Sequence, residues 1–266
     1  MLDCFANQAS GLIGLGCQPS PRLVAMVSHG DERAELPLLW QLCLSLVNFG
    51  YSVTVLDGTT AESDTNPGME QLLENLLWED DSLRDRTAWT VLPSAKGIQT
   101  LLDAPHPLER SLHHFGVMLP AESIVVLYCK ADCMEALIGD RHTAALLAVS
   151  QTKASLLTGY IALKRLLIKG KLRPTIVNML REPSLPGPTH YLTASEGLSE
   201  CAKKFLGQEL KTLTIAERQA DVAPCDAVQR LALRLLESAV PLDAAVQPAN
   251  WRDQTTGQTA QLTGSH

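Results

Sequence analysis

The sequence has few aromatic residues, no long apolar run and no excess of basic residues. Its 266 residues include 22 Lys and Arg against 29 Asp and Glu, so the formal net charge is −7. A nucleic-acid-binding domain needs a basic surface to displace phosphate counterions, and this balance therefore argues against nucleic acid as a partner. Hydrophobic residues still make up 45% of the chain. That fraction excludes disorder throughout and can supply a sizeable core.

Signals for membrane insertion or secretion are missing from the sequence. No apolar run approaches the roughly 20 residues that a membrane-spanning helix needs, and the longest candidate is interrupted by Gln41 and Ser45. The opening residues, MLDCFANQAS, lack the basic and apolar regions of a signal peptide. We therefore expect a cytoplasmic protein whose contact with a membrane is at most peripheral.

The cysteines do not form the pattern of a disulfide framework, because the seven of them are odd in number and scattered. Cys129 and Cys133 are the only close pair, and no cluster of Cys or His nearby completes a zinc set. The sequence predicts buried, reduced thiols and no metal site.

Short apolar runs rich in β-branched residues alternate with segments of helical periodicity. Strands are predicted over 22–28, 51–56, 88–92, 123–129, 144–149, 174–179 and 210–215, and helices over 36–49, 69–78, 107–119, 152–167, 193–205 and 226–239. Continuous apolar strands separated by helices indicate an α/β fold with a doubly wound, mostly parallel sheet. Such a sheet binds ligands beyond the carboxyl ends of its strands.

The two ends of the chain differ in composition from the segment between them. Residues 1–20 combine a short helical pattern with a breaker-rich linker, GCQPSP. Residues 247–266 are polar and rich in Thr, Gln and Gly, which predicts a disordered tail. We therefore expect an N-terminal helix and linker over 1–20, an α/β domain over 21–246 and a tail from 247.

The loop after the first predicted strand is where a doubly wound sheet usually holds a phosphate, with a Gly-rich backbone and a Lys. Here residues 28–36 contain one Gly and no Lys, and Asp31, Glu32 and Glu35 stand against a single Arg. Three carboxylates repel a triphosphate. We interpret the loop as a solvated surface turn and not as a phosphate site.

The order of strand, loop, helix and a second strand ending in VTVLDG resembles the MinD/ParA family of deviant Walker A ATPases, whose loop reads SGKGGVGKT. In that alignment the two Lys positions of the family fall on Gly30 and Glu35, and its Thr falls on Leu36. Asp57 matches the first Asp of the family's switch segment, whereas Thr59 replaces the second. The resemblance implies a MinD/ParA-type P-loop fold with a degenerate P-loop. We therefore expect neither hydrolysis nor binding of ATP and Mg²⁺.

Two further positions extend this resemblance. The Walker B Asp of the family should lie near Leu127 or Tyr128, where no acid stands. Asn178, in the segment PTIVNML, falls on the family's base-contacting Asn. An Asn that ends a buried strand and caps the next turn is an equally good interpretation. The resemblance thus implies a vestigial nucleotide pocket formed by Gly30, Glu35, Leu36, Asp57 and Asn178.

The segment Asn7-Gln8-Ala9-Ser10-Gly11-Leu12 resembles the DQAxxL(R) motif that precedes the ATPase domain of FlhG, a MinD-type regulator of flagellar number and placement. In FlhG this segment docks on FlhF, a signal-recognition-particle-type GTPase, and stimulates GTP hydrolysis. The Asp and Arg of the motif become Asn7 and Ile13 here. Phe5, Ala9 and Leu12 also share one helical face. The resemblance implies partner binding through Phe5, Asn7, Gln8, Ala9, Leu12 and Ile13.

These features predict a non-enzymatic, FlhG-like pseudo-ATPase that binds and stimulates an FlhF-like GTPase and so regulates flagellar placement or number. Its partner would recruit it to a cell pole or the inner membrane. One alternative is a MinD-like scaffold of another polar or envelope machine, such as a pilus or cellulose-secretion system. A second alternative is an ATPase with an unorthodox pocket that uses Asp57 and Asn178. The oligomeric state stays open.

The basic residues cluster in one place, at the end of a predicted helix: Lys164, Arg165, Lys169, Lys171 and Arg173. Cations at that position complement the helix dipole, which explains them without a ligand. An acidic partner or a membrane surface is the alternative interpretation.

Overall fold

The computed structural model describes residues 20–74, 89–104, 112, 119–120, 122–138, 144–180, 194–216 and 224–242. The strands are β1 (Arg22–Ser28), β2 (Ser52–Asp57), β3 (Trp89–Pro93), β4 (Ser123–Lys130), β5 (Ala145–Val149), β6 (Thr175–Leu180), β7 (Thr212–Ala216) and β8 (Val240–Pro241). The helices are α1 (Glu32–Asn48), α2 (Met69–Leu73), α3 (Ala95–Asp103), α4 (Ala131–Ile138), α5 (Lys153–Ile168), α6 (Ala194–Leu206) and α7 (Asp226–Ser238). The predicted segment 1–20, apart from its last residue, the tail from 247 and nearly all of the predicted helix over 107–119 lie outside the described residues.

The strands form one sheet in the order β3-β2-β4-β1-β5-β6-β7. All neighbours in this order pair in parallel, and β8 adds a short antiparallel pairing with the start of β1. The prediction of a doubly wound, mostly parallel α/β sheet is therefore confirmed. Each predicted strand lies within two residues of an observed one.

Two hydrophobic cores lie on the two faces of the sheet, because successive strand side chains point to opposite sides. In β1, Leu23, Ala25 and Val27 belong to one core, and Val24 and Met26 belong to the other. Among the described helices, α1 and α7 pack on the second face, whereas α2 to α6 pack on the first. Adjacent strands β1 and β4 therefore continue into helices on opposite faces, which opens a crevice at their carboxyl ends.

Helix α1 begins four residues earlier than the sequence pattern predicts. The carbonyl oxygen of Asp31 accepts hydrogen bonds from the backbone N–H groups of Ala34 and Glu35, both at 2.9 Å. Pro37 therefore lies inside the helix and not near its first turn. Glu32 and Glu35 take the first turn instead, where negative charge complements the positive end of the helix dipole.

Helices α3 and α4 were not predicted, because each follows a strand with almost no connecting segment. Gly97, in the first turn of α3, also weakens the helical pattern. A Cβ at Gly97 would lie 2.8 Å from Cβ of Met69, so the close packing of α3 on α2 requires glycine at this position. The sequence alone does not reveal this contact.

Among the described cysteines, Cys43 and Cys129 are buried in the cores and Cys133, Cys201 and Cys225 are partly buried; all five are free. Burial raises the pKa of Cys43 to about 12 and also raises the pKa of Cys129. The two core cysteines thus act as small apolar side chains. None of the described helices combines the length and the hydropathy that crossing a membrane would require.

A buried carboxylate joins the two helices that follow β2 and β3. Glu62 is 2% exposed, and its side chain accepts backbone N–H groups of Lys96 at 2.7 Å, Gly97 at 2.9 Å and Glu70 at 3.3 Å. These N–H groups lie in the first turns of α3 and α2, where helices have no internal acceptors for them. One side chain therefore caps both helices and fixes their distance.

Replacing Glu62 with Ala should destabilise the protein by about 2 to 4 kcal/mol, because three charge-assisted hydrogen bonds lose their acceptor. Urea unfolding measures the loss. Glu74→Ala is the control, since Glu74 is exposed one residue after α2. Equal stability of the two variants would contradict the capping role.

Candidate functional site

A cavity lies in the crevice at the carboxyl ends of β1, β2 and β4. It measures about 660 Å³ and opens to solvent. Its walls come from the segments that follow these three strands and from α5. Open α/β sheets bind ligands at such a switch point, so this cavity is the candidate site.

The loop between β1 and α1 encloses a fully buried carboxylate. Glu35 is 0% exposed, and its Oε1 accepts the backbone N–H groups of His29 at 2.9 Å and Asp31 at 3.0 Å. The hydroxyl of Tyr128 donates a hydrogen bond to Oε2. A phosphate-binding loop presents backbone N–H groups of this kind to its ligand. Here a side chain of the protein itself takes two of them.

The interpretation of this loop as a solvated surface turn is wrong for Glu35. Gly30 and Glu32 are exposed as expected, but the Glu35 carboxylate points inward because three donors converge on it. One of those donors, Tyr128, lies 93 residues away in sequence. No local pattern relates the two positions, so sequence reasoning could not find the pair.

His29 connects the loop to β5 and α5. Its ring Nε2 lies 2.6 Å from the carbonyl oxygen of Ala148, and Nδ1 lies 2.8 Å from Oγ1 of Thr158. A carbonyl oxygen only accepts, so Nε2 carries a proton. The same Nε2 is 3.5 Å from Oε1 of Glu35, with both side chains almost fully buried. The positive edge of the ring therefore faces the buried carboxylate.

Tyr128 occupies the region of β4 where the resemblance puts an acid. Burial raises the pKa of Tyr128 above its usual value, and the hydrogen bond to Glu35 raises it further. The phenol thus remains a proton donor to the carboxylate. Tyr128 and His29 were not among the predicted site residues, although together they hold Glu35.

Asp31 ties the loop to the end of β5. Burial acts to raise the pKa of Asp31, but hydrogen bonds from the side chains of Ser150 and Ser155 outweigh it and lower the pKa. The backbone N–H of Ser150 adds a bond of 3.2 Å to Oδ2 of Asp31. The loop is therefore anchored at both of its inner acids, Asp31 and Glu35.

Asp57 lies at the cavity wall, and residues of its own turn donate hydrogen bonds to its carboxylate. Oδ1 accepts the backbone N–H of Thr59 at 2.9 Å and its hydroxyl at 2.6 Å, and Oδ2 accepts the hydroxyl of Thr60 at 2.7 Å. Such a turn satisfies most of the capacity of the carboxylate. Asp57 is thus a structural cap in this conformation.

Asn178 is not among the described residues that line the cavity. It is fully buried in β6, which β5 separates from β1. Its side-chain amide has no hydrogen-bond partner among the described residues. The structure therefore brings Gly30, Leu36 and Asp57 to the cavity, puts Glu35 directly beneath the loop and leaves Asn178 apart. The predicted partner-binding residues lie outside the described residues.

The cavity wall carries charges of both signs. Lys130 and Arg165 line it together with Glu32 and Asp57, and Arg165 also forms an ion pair with Asp132. The two cations come from the end of β4 and from α5, not from the loop. Two cations and two acids therefore lie together among the described residues that line the cavity.

No protein-family model matches the chain, and no curated protein matches it in sequence. Solved structures similar to it include MinD in the MinC:MinD cell division complex of Aquifex aeolicus, at 15% identity, 82% coverage of this chain, 97% of that chain and a TM-score of 0.49. A ParA family ATPase from Chlorobium tepidum TLS shares 13% identity, with 81% and 98% coverage and a TM-score of 0.45. The cell division protein FtsY of Thermotoga maritima shares 18% identity, with 82% and 69% coverage and a TM-score of 0.40. Such identities carry no information about ligands or partners.

Replacing Glu35 with Ala should destabilise the protein by about 3 to 5 kcal/mol, since a buried charge network loses its central acceptor. Glu35→Gln retains an acceptor oxygen and should cost about 1 to 2 kcal/mol. The exposed Glu32→Ala is the matched control. Urea unfolding distinguishes the three variants, and a stable Glu35→Ala protein would contradict the assigned network.

Proposed function

We propose that this protein is a non-hydrolysing, FlhG-like regulator that acts by binding an FlhF-like GTPase. The observation that carries the proposal is the Glu35 carboxylate, which accepts the N–H groups of His29 and Asp31 inside the loop. The proposal has two parts, a lost nucleotide switch and a retained partner-binding segment. Each part has its own support and its own test.

The charge and the occupied N–H groups of the loop support the proposed loss of the nucleotide switch. A phosphate approaching the loop would meet a fixed negative charge, and two of the N–H donors already have an acceptor. Glu35 is also the residue that aligns with the P-loop Lys. A carboxylate at this position would repel the phosphate that a Lys attracts. Leu36, where the family has a Thr ligand for Mg²⁺, has no oxygen in its side chain and is 47% exposed.

The remaining candidate groups do not replace these functions. Asp57 accepts three hydrogen bonds within its own turn, which competes with binding of a metal ion or a water. Thr59 stands where the resemblance has a second Asp, and its hydroxyl is one of those donors. Hydrolysis of a nucleotide requires a positioned Mg²⁺ and a residue that orients water. The hydrogen bonds of Asp57 and the Thr at position 59 therefore support the proposed absence of turnover.

The partner part rests on the resemblance of residues 7–12 to the FlhG motif. A Gln side chain has both a donor and an acceptor, so Gln8 can orient water or a catalytic group beside a GTP bound to another protein. Phe5, Ala9 and Leu12 provide one apolar face for docking in a groove. Regulation would then depend on the amount or state of the partner and not on a nucleotide bound to this chain.

Titration of the protein with labelled ATP and Mg²⁺ should give no saturable binding at micromolar concentrations, because Glu35 repels the phosphates. Glu35→Gln removes the charge but puts no Lys at this position, so we expect at most weak binding. Metal-dependent micromolar binding by the unaltered protein would favour the ATPase alternative instead.

Addition of the protein to the FlhF-like GTPase of the same organism should accelerate GTP hydrolysis. Gln8→Ala should abolish the acceleration, because it removes the side chain that orients the reacting groups. Ser10→Ala is the control, since it leaves the matched motif positions intact. Multiple-turnover phosphate release measures the rate.

Co-elution without acceleration would mean that docking tolerates Asn7 and Ile13 in place of the Asp and Arg of the motif, whereas activation of the GTPase does not. Absence of both would refute the FlhF-like partner. That result would favour the alternative of a scaffold in another polar or envelope machine.

A further inference from the structure

The outward face of α5 differs in charge from the rest of the protein. This helix has 16 residues, KASLLTGYIALKRLLI, with three cations and no acid. The whole chain has a net charge of −7. The helix therefore differs in sign of charge from the chain as a whole.

Bulky apolar side chains also lie on this face. Leu157, Ile161 and Ile168 are 64%, 48% and 56% exposed. Their spacing of four and seven residues puts them on one side of the helix, and Lys164 lies between them. The opposite side of α5 packs on the sheet through Ser155, Gly159, Ala162, Leu163 and Leu166. The exposed stripe is therefore not required for the core.

Exposed cations border the apolar stripe. Lys153 precedes it, Arg165 lies beside it, and Lys169 follows it. Lys171 and Arg173 lie in the segment between α5 and β6. Arg165 forms an ion pair with Asp132 of α4. The described face thus combines a central aliphatic ridge with a rim of predominantly basic residues. We refer to the ridge and the rim, residues 153–173, as the α5 face.

We propose that the α5 face docks on an anionic lipid bilayer. Amphipathic surfaces that bind at a membrane interface combine bulky aliphatic residues with flanking Lys and Arg. Long Lys side chains can lie along the apolar surface while their ammonium groups reach the lipid phosphates. This arrangement gives the protein a membrane contact that is independent of its first 20 residues and of the proposed GTPase partner.

The composition of the face favours lipid over an acidic protein as the occupant. Protein interfaces are enriched in aromatic residues and Arg and depleted in Lys. The ridge has three aliphatic residues and no aromatic residue, and most of the cations are Lys. The helix also projects a convex ridge, which a deformable bilayer can accommodate without a preformed groove.

Docking in this manner would orient the candidate cavity. Ile161 and Arg165 belong to the α5 face and also line the cavity at the ends of β1, β2 and β4. Membrane contact would therefore bring the cavity mouth close to the lipid headgroups. The opposite side of the sheet, covered by α1 and α7, would face the solvent.

Co-sedimentation with vesicles tests the proposal on the full-length protein. Vesicles of phosphatidylcholine with phosphatidylglycerol should bind it, and vesicles of phosphatidylcholine alone should not. Each basic residue near an anionic surface contributes roughly fivefold to the partition coefficient. The double variant Lys164→Glu, Lys169→Glu should therefore weaken binding by about twentyfold or more.

Matched variants on the opposite side of the sheet control for net charge and hydropathy. Arg230 and Arg234 are exposed on α7, so Arg230→Glu with Arg234→Glu changes the net charge equally. For the apolar ridge, Ile168→Gln should reduce binding, whereas Leu233→Gln, at a residue 49% exposed on α7, should not. Circular dichroism melts verify that all variants fold.

Failure of the unaltered protein to bind the anionic vesicles at low salt would overturn the proposal and leave the acidic-partner interpretation. Equal losses in the α5 and α7 variants would overturn it as well. Loss confined to the α5 variants, with release of the unaltered protein at high salt, would support it.

Discussion

A single buried carboxylate determines the conformation of the loop at the centre of the sheet. Glu35 collects two backbone N–H groups and a phenol hydroxyl, and a histidine ring stands 3.5 Å away. Burying a charge is unfavourable unless donors surround it, so each of these partners is needed for the others to remain in place. The geometry of the cavity wall follows from this network.

The architecture was largely predictable, because it depends on patterns that are local in sequence. Continuous apolar runs marked the strands within two residues, and their alternation with helices indicated the parallel sheet. Prediction failed where a contact between distant segments decides the outcome. Glu35 was interpreted as a surface acid, whereas Tyr128 donates a hydrogen bond to it inside the protein. Helix α3 was not predicted, and its packing on Met69 depends on the small size of Gly97. Asn178 was expected either at the pocket or as a cap at the end of a buried strand. It is buried as expected, but the strand order separates it from the cavity and its amide has no hydrogen-bond partner among the described residues.

The fold positions the crevice, whereas the side chains determine its chemistry. The cavity lies where the strands β1 and β4 diverge into helices on opposite faces, which is a property of the topology. The side chains around it carry charges of both signs. The carboxylate of Asp57 already accepts hydrogen bonds from its own turn. Function must therefore be inferred from the side chains and not from the fold.

The cover of the second sheet face also has a consequence for synthesis of the chain. Of the described helices, α1 and α7 form this cover, and they lie near opposite ends of the sequence. During translation the apolar residues of α1 and of the strands beneath it emerge first, before α7 has been synthesised or has left the ribosomal exit tunnel. The part of that face that α7 covers stays open to water until α7 emerges, and nascent chains with such exposed surface are prone to aggregate. Covering this face of the described fold therefore depends on α7, and chaperones that bind apolar segments have access to it until then.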